Sequence, residues 1–425
     1  MGNGQDDPSP DQPAGRRPLT RRKKFLFASI MLLTCYSLAE LVLTLLYMRG
    51  TLSPAPKSTV VQEQVEQGAS RRFDPVRGCF LAPHPARIAI VASNGTIETV
   101  GTVRGNRQGF PDRDDFQLKR TSGKVRRYAI LGDSMTAAQF LKRNWPDMAE
   151  DLASGEEVPL ELYNFSVFGG GLDNWRSVLI DHVQAEGYEL DGVIFALCCD
   201  DLHRGFTFWD DSQVETDEEG RKWGSYGRMP SRNKLDIPAN LQQASSFLLP
   251  INWRLLPTGE FDQLLAGEKR LSVDRELKLY LTSRCVSGMA RLFGVDLSPI
   301  PEFPPLDPSC LPLIDEIRQF LYRQQLPCLV VQLPLRHELI GQLKRAQGTG
   351  IPEQTRQFVN RIGARVMDGS EAFQGLDEAG IRDCWLPYDG HWGQSGSDRF
   401  ARYMVEVIRD WQQSRAGGEK RLNSQ

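Results

Sequence analysis

Tyr128-Ala-Ile-Leu-Gly-Asp-Ser-Met-Thr136 decides the reading of this chain. An apolar run with the pattern of a buried strand stops at Gly132-Asp133-Ser134, and small, helix-compatible residues follow in Thr136-Ala-Ala-Gln139. A strand that turns straight into a helix leaves the turn at the strand's carboxyl end, where open parallel sheets place their sites. Glycine permits the tight turn. The first N–H groups of the helix lack intrahelical partners and can face a developing anion. The stretch therefore predicts a presented serine, Ser134, beside ready-made donors. Gly, Asp and Ser are also ordinary turn formers, so the tripeptide alone does not separate a site from a plain turn. Thr136 stands two residues after the serine, which argues against the G-x-S-x-G elbow of α/β-hydrolases.

Three further blocks give the serine a context. Near the C-terminus, Pro387-Tyr-Asp-Gly-His-Trp392 leads into a segment whose apolar residues Phe400, Met404, Val405 and Ile408 have helical spacing. Of the five histidines, 84, 182, 203, 337 and 391, only His391 lies on such a loop with a carboxylate, Asp389, two residues before it. An imidazole held by a carboxylate can take a serine's proton and return it to a leaving group; a solvated surface His–Asp pair is the bland alternative. Leu162-Tyr-Asn-Phe-Ser-Val-Phe-Gly-Gly-Gly171 is a short strand running into glycines. Glycine can turn its N–H toward a substrate oxygen, or merely turn the chain. Asp191-Gly-Val-Ile-Phe-Ala-Leu-Cys-Cys-Asp-Asp-Leu202 is a buried strand ending in two acids.

Together these blocks resemble the SGNH (GDSL-like) hydrolase superfamily, from about residue 100 to about residue 410. The resemblance makes Ser134 the nucleophile, Gly169 the oxyanion-hole glycine and His391 the base. It implies a flavodoxin-like three-layer α/β fold with a parallel sheet. The family's usual acid lies three residues before the histidine, where this chain has Tyr388. Asp389 matches the D-x-H-W variant of relatives resembling alginate O-acetyltransferases. Asn106-Arg-Gln-Gly-Phe110 is similar to the lead-in of some bacterial members. The third block departs from the pattern: Asp200 stands where the family has an oxyanion-hole asparagine, and Cys198 where it has glycine. An ionised carboxylate only accepts hydrogen bonds, and loss of one such donor costs about 3–4 kcal/mol in the transition state. Either Asp200 is protonated by burial, or the hole rests on the N–H groups of Ser134 and Gly169, or catalysis is lost.

Apolar runs at Tyr128–Leu131, Leu162–Phe165, Val193–Leu197, Cys328–Leu333 and Ala364–Met367 alternate with helical patterns such as Trp175–Glu186 and Leu313–Arg323. Alternation of this kind predicts a parallel sheet covered on both faces. Residues from about 203 to 312 exceed a simple crossover and predict a large insertion. It carries Trp209, Trp223, Tyr226, Trp253 and Phe261, with a helical pattern at Val273–Tyr280. A lid whose aromatic residues stack on sugars and a small self-contained core are the two readings of it.

Phe25 to Met48 is an almost unbroken apolar run behind Arg21-Arg-Lys-Lys24, interrupted by Glu40. As a helix it would span about 36 Å, enough for the hydrocarbon core of a bilayer. Its basic flank predicts a cytoplasmic N-terminus and an extracytoplasmic remainder. A cleaved signal peptide is the rival, but the run is long for one and no clear cleavage site follows. The expected organisation is a disordered cytoplasmic tail (1–24), a transmembrane helix (25–48), a polar linker (49–72), the SGNH-like domain (73–415) and a short tail (416–425). A net charge of −3 and the absence of a basic stripe give no reason to expect a nucleic-acid partner. Eight cysteines include Cys35 in the apolar run, and Cys285 and Cys310 could pair in an oxidising compartment. No Cys/His spacing suits a metal, and no cofactor is implied. The expected function is a membrane-anchored serine esterase or O-acyltransferase acting on acetyl esters of a cell-envelope glycan. A degenerate domain that binds glycan or scaffolds an export complex is the alternative, and a lipid esterase with an apolar groove a third.

Overall fold

Five short runs rich in Val, Ile, Leu and Ala need both faces covered, and the chain supplies helices to do it. The computed structural model describes residues 20–48, 58–64, 71–92, 95–120, 123–198, 201–216, 222–229, 251–269, 306–345 and 350–422. Its strands in chain order are β1 (Ser58–Gln64), β2 (Arg71–Asp74), β3 (Gly78–Leu81), β4 (Ala86–Ala92), β5 (Ile97–Val103), β6 (Arg126–Leu131), β7 (Leu160–Asn164), β8 (Gly192–Leu197), β9 (Phe206–Thr216), β10 (Lys222–Met229), β11 (Ile251–Pro257), β12 (Cys328–Gln332) and β13 (Arg365–Asp368).

The first sheet has the order β13-β12-β8-β6-β7. Every pair in it is parallel. Counted along the chain this is the flavodoxin-like order, with the switch point between β6 and β8. Side chains of a strand alternate between faces, and β6 sorts accordingly. Tyr128 and Ile130 pack with Trp145, Ala149, Phe400, Met404 and Ile408 on one side. Ala129 and Leu131 pack with Trp175, Val178, Ile314, Ile317 and Phe358 on the other. The helices Trp145–Ala153 and Gln394–Leu422 thus cover one face, and Leu172–Ser177, Leu311–Arg323 and Glu353–Ile362 the other. This is the three-layer α/β arrangement expected from the alternation of runs. The helix after β7 starts at Leu172 and widens into a π-helix at Val178–Gln184. The last helix runs to Leu422, through part of the stretch expected as a tail.

A second sheet has the order β5-β4-β1-β11-β10-β9, and here the sequence reading needs correction. Ser58–Gln64, placed in the linker, is an inner strand between β4 and β11. Its sequence, S-T-V-V-Q-E-Q, hides this because buried polar residues are satisfied by distant partners. Glu63 takes Arg87 Nη2 at 2.9 Å and the Arg87 backbone N–H at 3.2 Å. That pairing holds the Glu63 carboxyl down at about 2 despite burial. The described part of the insertion is also built into this sheet, as β9, β10 and β11. Trp209 joins Phe140, Phe168 and Leu386 in one core, and Phe261 joins Val61, Ala89 and Leu256 in another. Both are core residues rather than stacking platforms. The Val273–Tyr280 pattern lies outside the described residues. Cys310 is a free thiol whose Sγ–H donates to the Leu202 carbonyl at 3.2 Å, and Cys285 lies outside the described residues.

The helix Arg21–Met48 belongs to a separate unit of the chain. It is long and apolar enough to cross a membrane, as either a span or a signal sequence. Thr44 Oγ1 donates to Glu40 Oε1 at 3.2 Å, one turn away on the same face.

Candidate active site

Ser134 is presented by the end of β6. A Cβ on Gly132 would lie 2.5 Å from Thr136 Oγ1, so only glycine allows the turn. Asp133 caps the helix Ser134–Ala137 by accepting the Met135 N–H at 2.8 Å. Ala138 at φ 40° ends that helix after one turn. Ser134 is 7 % exposed, open enough for its Oγ to meet a partner from another element.

That partner is His391, whose Nε2 lies 2.7 Å from Ser134 Oγ. The other ring nitrogen, Nδ1, is held by Asp389 Oδ1. The same oxygen accepts the His391 backbone N–H at 2.9 Å. The carboxylate therefore folds back over a two-residue turn, and the spacing that departs from the family's usual one still reaches the ring. Tyr388, at the usual position, is 38 % exposed. Burial works against a charged imidazole, but the hydrogen bond and charge of Asp389 outweigh it and hold His391 above the ordinary histidine value. Burial likewise opposes ionisation of Asp389, and His391 keeps its carboxyl below the ordinary range. The two side chains are 23 % and 18 % exposed, so the pair is reachable from solvent.

The loop bearing them is fixed from three sides. Trp392 is buried against Trp385, Phe373 and Phe400. Arg336 Nη1 donates to the carbonyls of Leu386 at 2.7 Å and Pro387 at 3.0 Å. Glu98, on β5, accepts the N–H groups of Tyr388 at 2.9 Å and Asp389 at 3.3 Å. The ring of Phe140 meets His391 edge-on at 4.7 Å. Glu98, Arg336 and Phe140 carry no signal in the sequence, because each comes from a different element. Trp392 could have been read from its place beside His391.

The glycine loop adjoins the serine turn. Asn164 Nδ2 donates to the carbonyls of Pro111 at 3.0 Å and Thr136 at 3.3 Å. The Val167 N–H reaches the Gly132 carbonyl at 3.2 Å. Gly169 has φ +67°, a conformation that favours glycine. Thr207 Oγ1, from β9, donates to its carbonyl at 2.8 Å. After β8, Asp201 Oδ2 accepts the Cys198 N–H at 2.8 Å. Asp200 lies outside the described residues. The lead-in loop is closed by Asn106, whose Oδ1 accepts the Phe110 N–H at 3.1 Å. Among the described residues no His, Cys, Asp and Glu group is arranged to hold a metal ion.

No protein-family model matches the chain. No curated protein matches it either. Among solved structures it is similar to a lipase/acylhydrolase from Enterococcus faecalis, at 10 % identity and a TM-score of 0.32, over 67 % of this chain and 96 % of that one. It is also similar to a protein described as lipolytic and of the G-D-S-L family, from Desulfitobacterium hafniense DCB-2. There the identity is 11 % and the TM-score 0.27, over 66 % of this chain and 98 % of the other. At these values the likeness adds nothing to the strand order and the site geometry, which stand on their own.

Proposed function

We propose that the chain is a serine esterase or O-acyltransferase with Ser134 as nucleophile, His391 as base and then acid, and Asp389 as the group that orients His391. The observation that carries this is the continuous line from Asp389 through both nitrogens of His391 to Ser134 Oγ, the last step 2.7 Å. His391 Nε2 accepts the serine proton while Oγ bonds to the ester carbonyl carbon, and the carbonyl π pair moves onto oxygen. The N–H groups of Ser134 and Gly169 receive that oxyanion. Collapse expels the alcohol, which takes the proton back from His391. Water or a sugar hydroxyl then attacks the acyl-enzyme, giving hydrolysis or transfer. Only neutral His391 can act as base, so kcat/KM falls as pH drops through its raised pKa.

The apolar N-terminal helix and its basic flank support a membrane-anchored domain outside the cytoplasm. That location, with the D-x-H-W resemblance, favours acetyl esters on a cell-envelope glycan. The test uses the full chain in detergent with an acetylated polysaccharide. Acetate release that falls, with acetyl appearing on an added acceptor sugar, supports transfer; release unaffected by acceptor supports hydrolysis. Neither product, with p-nitrophenyl acetate also untouched, would sink the enzyme reading. A glycan-binding or scaffold module, favoured by Asp200 in place of asparagine, would then lead.

A further inference from the structure

The serine turn, the glycine loop and the exit of β8 come from three parts of the chain, and one side chain touches all of them. Arg204 Nη1 lies 3.1 Å from Asp133 Oδ2, 2.6 Å from Asp201 Oδ1 and 3.2 Å from the Gly170 carbonyl. Asp133 is the cap of the nucleophile helix, and Gly170 follows the glycine whose N–H is proposed for the oxyanion hole. Asp201 in turn holds the first residue after β8 through the Cys198 N–H. The approach is close throughout: a Cβ on Gly171 would lie 2.2 Å from the Asp201 carbonyl and 2.7 Å from the Arg204 Cβ. The arginine side chain is 12 % exposed, with Asp133 at 5 % and Asp201 at 1 %. Charges so placed interact strongly and are costly to leave unpaired.

We propose that Arg204 is the positioning residue of the oxyanion region, clamping the serine turn to the glycine loop. The inference rests on the serine-ester reading given above. Arg204 touches none of the reacting atoms; it acts by holding the N–H groups of Ser134 and Gly169 in register and by its field. The charged groups that act on His391 include Asp389 from its own loop, Asp133 from the serine turn and Arg204 from the segment after β8, and Glu98 and Arg336 hold the backbone of its loop. Asp389 and Asp133 favour the charged imidazole and Arg204 disfavours it. Phe140 and Phe168 supply the neutral walls.

The test uses the full chain in detergent, with Arg204→Ala, Arg204→Lys and Asp133→Asn checked for cooperative unfolding. Arg204→Lys keeps the charge but loses the planar fork, so it guards against a collapsed Arg204→Ala. On p-nitrophenyl acetate, Arg204→Ala should lower kcat about a hundredfold, with KM nearly unchanged, as expected for loss of alignment. The acid limb of its kcat/KM profile should move to higher pH, whereas Asp133→Asn should move it to lower pH. Arg204→Lys should leave the limb in place while still lowering kcat, and added guanidinium ion should restore part of the Arg204→Ala rate. A normal kcat in Arg204→Ala would overturn the proposal. So would a fallen kcat with an unmoved limb and no guanidinium rescue, the mark of structural support alone. If the wild type is inert, the ester reading fails separately. NMR of the Ser134 and Gly169 amides then decides the clamp without turnover: resonances displaced in Arg204→Ala uphold it and unchanged ones overturn it.

Discussion

The two sheets of this molecule divide the work differently. The first, β13-β12-β8-β6-β7, is made of parallel strands whose order reverses once, between β6 and β8, and its carboxyl ends carry Ser134, the glycine loop and Asp201. The second, β5-β4-β1-β11-β10-β9, joins segments nearly two hundred residues apart, as in the pairing of Val61 with Arg254. It supplies no member of the Ser–His–Asp line. Instead it holds that line: Glu98 from β5 grips the Asp389 loop, Thr207 from β9 grips Gly169, and Thr99 Oγ1 donates to the carbonyl of Phe140 at 3.1 Å. One sheet presents Ser134 and the other hydrogen-bonds the loops around it.

If that division is right, substitutions at the two sheets should separate activity from stability. The largest effect belongs to the site itself. Asp389→Asn should lower kcat by about 10⁴-fold, the scale seen when a triad carboxylate is neutralised. Its acid limb should move to lower pH, because the group that raises His391 is gone while burial, which lowers it, remains. Thermal unfolding of the variant checks that stability is nearly unchanged. Val61→Asp tests the other side. Val61 is fully buried in the strand that the sequence presents as a tether. A charge there should destabilise the domain by more than about 4 kcal/mol, measured by urea unfolding; a true tether would tolerate it.

A finer test asks whether the second sheet reaches the chemistry. Glu98→Ala removes two hydrogen bonds to the loop that carries Asp389 and His391, and a tenfold to hundredfold fall in kcat corresponds to about 1.5–3 kcal/mol. Steady-state kinetics beside the melting temperature would show kcat falling while stability hardly moves. The smallest effect lies beneath the first sheet. Burial pushes Asp147 up to about 7 and Glu150 up to about 8, and Asp112 well above the usual carboxylate range. A carboxyl whose folded pKa is raised adds stability that is full below its unfolded value and lost as pH rises through the folded one. The melting temperature should therefore fall between pH 5 and 9. Glu150→Gln should flatten that fall by about 2–4 °C, the shift for about 1 kcal/mol in a domain of this size.

The contrast also explains what could be read in advance. The first sheet was legible because its inner strands, β6, β8 and β12, are local apolar runs and each crossover follows its strand in sequence. Ser134 was legible for the same reason: strand, glycine and helix start are consecutive residues. His391 and Asp389 were legible from their own loop, and the geometry joins them to the serine. The second sheet was not, because its central strand is polar in composition. The burial of Glu63 makes sense only beside Arg87, and β1 has its parallel neighbour in a segment that begins at residue 251. Arg204 was illegible too. An isolated arginine after a pair of acids has no pattern, and its meaning comes from three neighbours that folding alone brings together.

The central claim is that Ser134 is a nucleophile activated by His391. Fluorophosphonate labelling of the full chain in detergent, followed by peptide mass mapping, tests it most directly. The account predicts one label per chain, on the peptide carrying Ser134, absent from Ser134→Ala and strongly slowed in His391→Ala. A folded chain that takes no label, or takes it on another residue with Ser134→Ala unaffected, would contradict it.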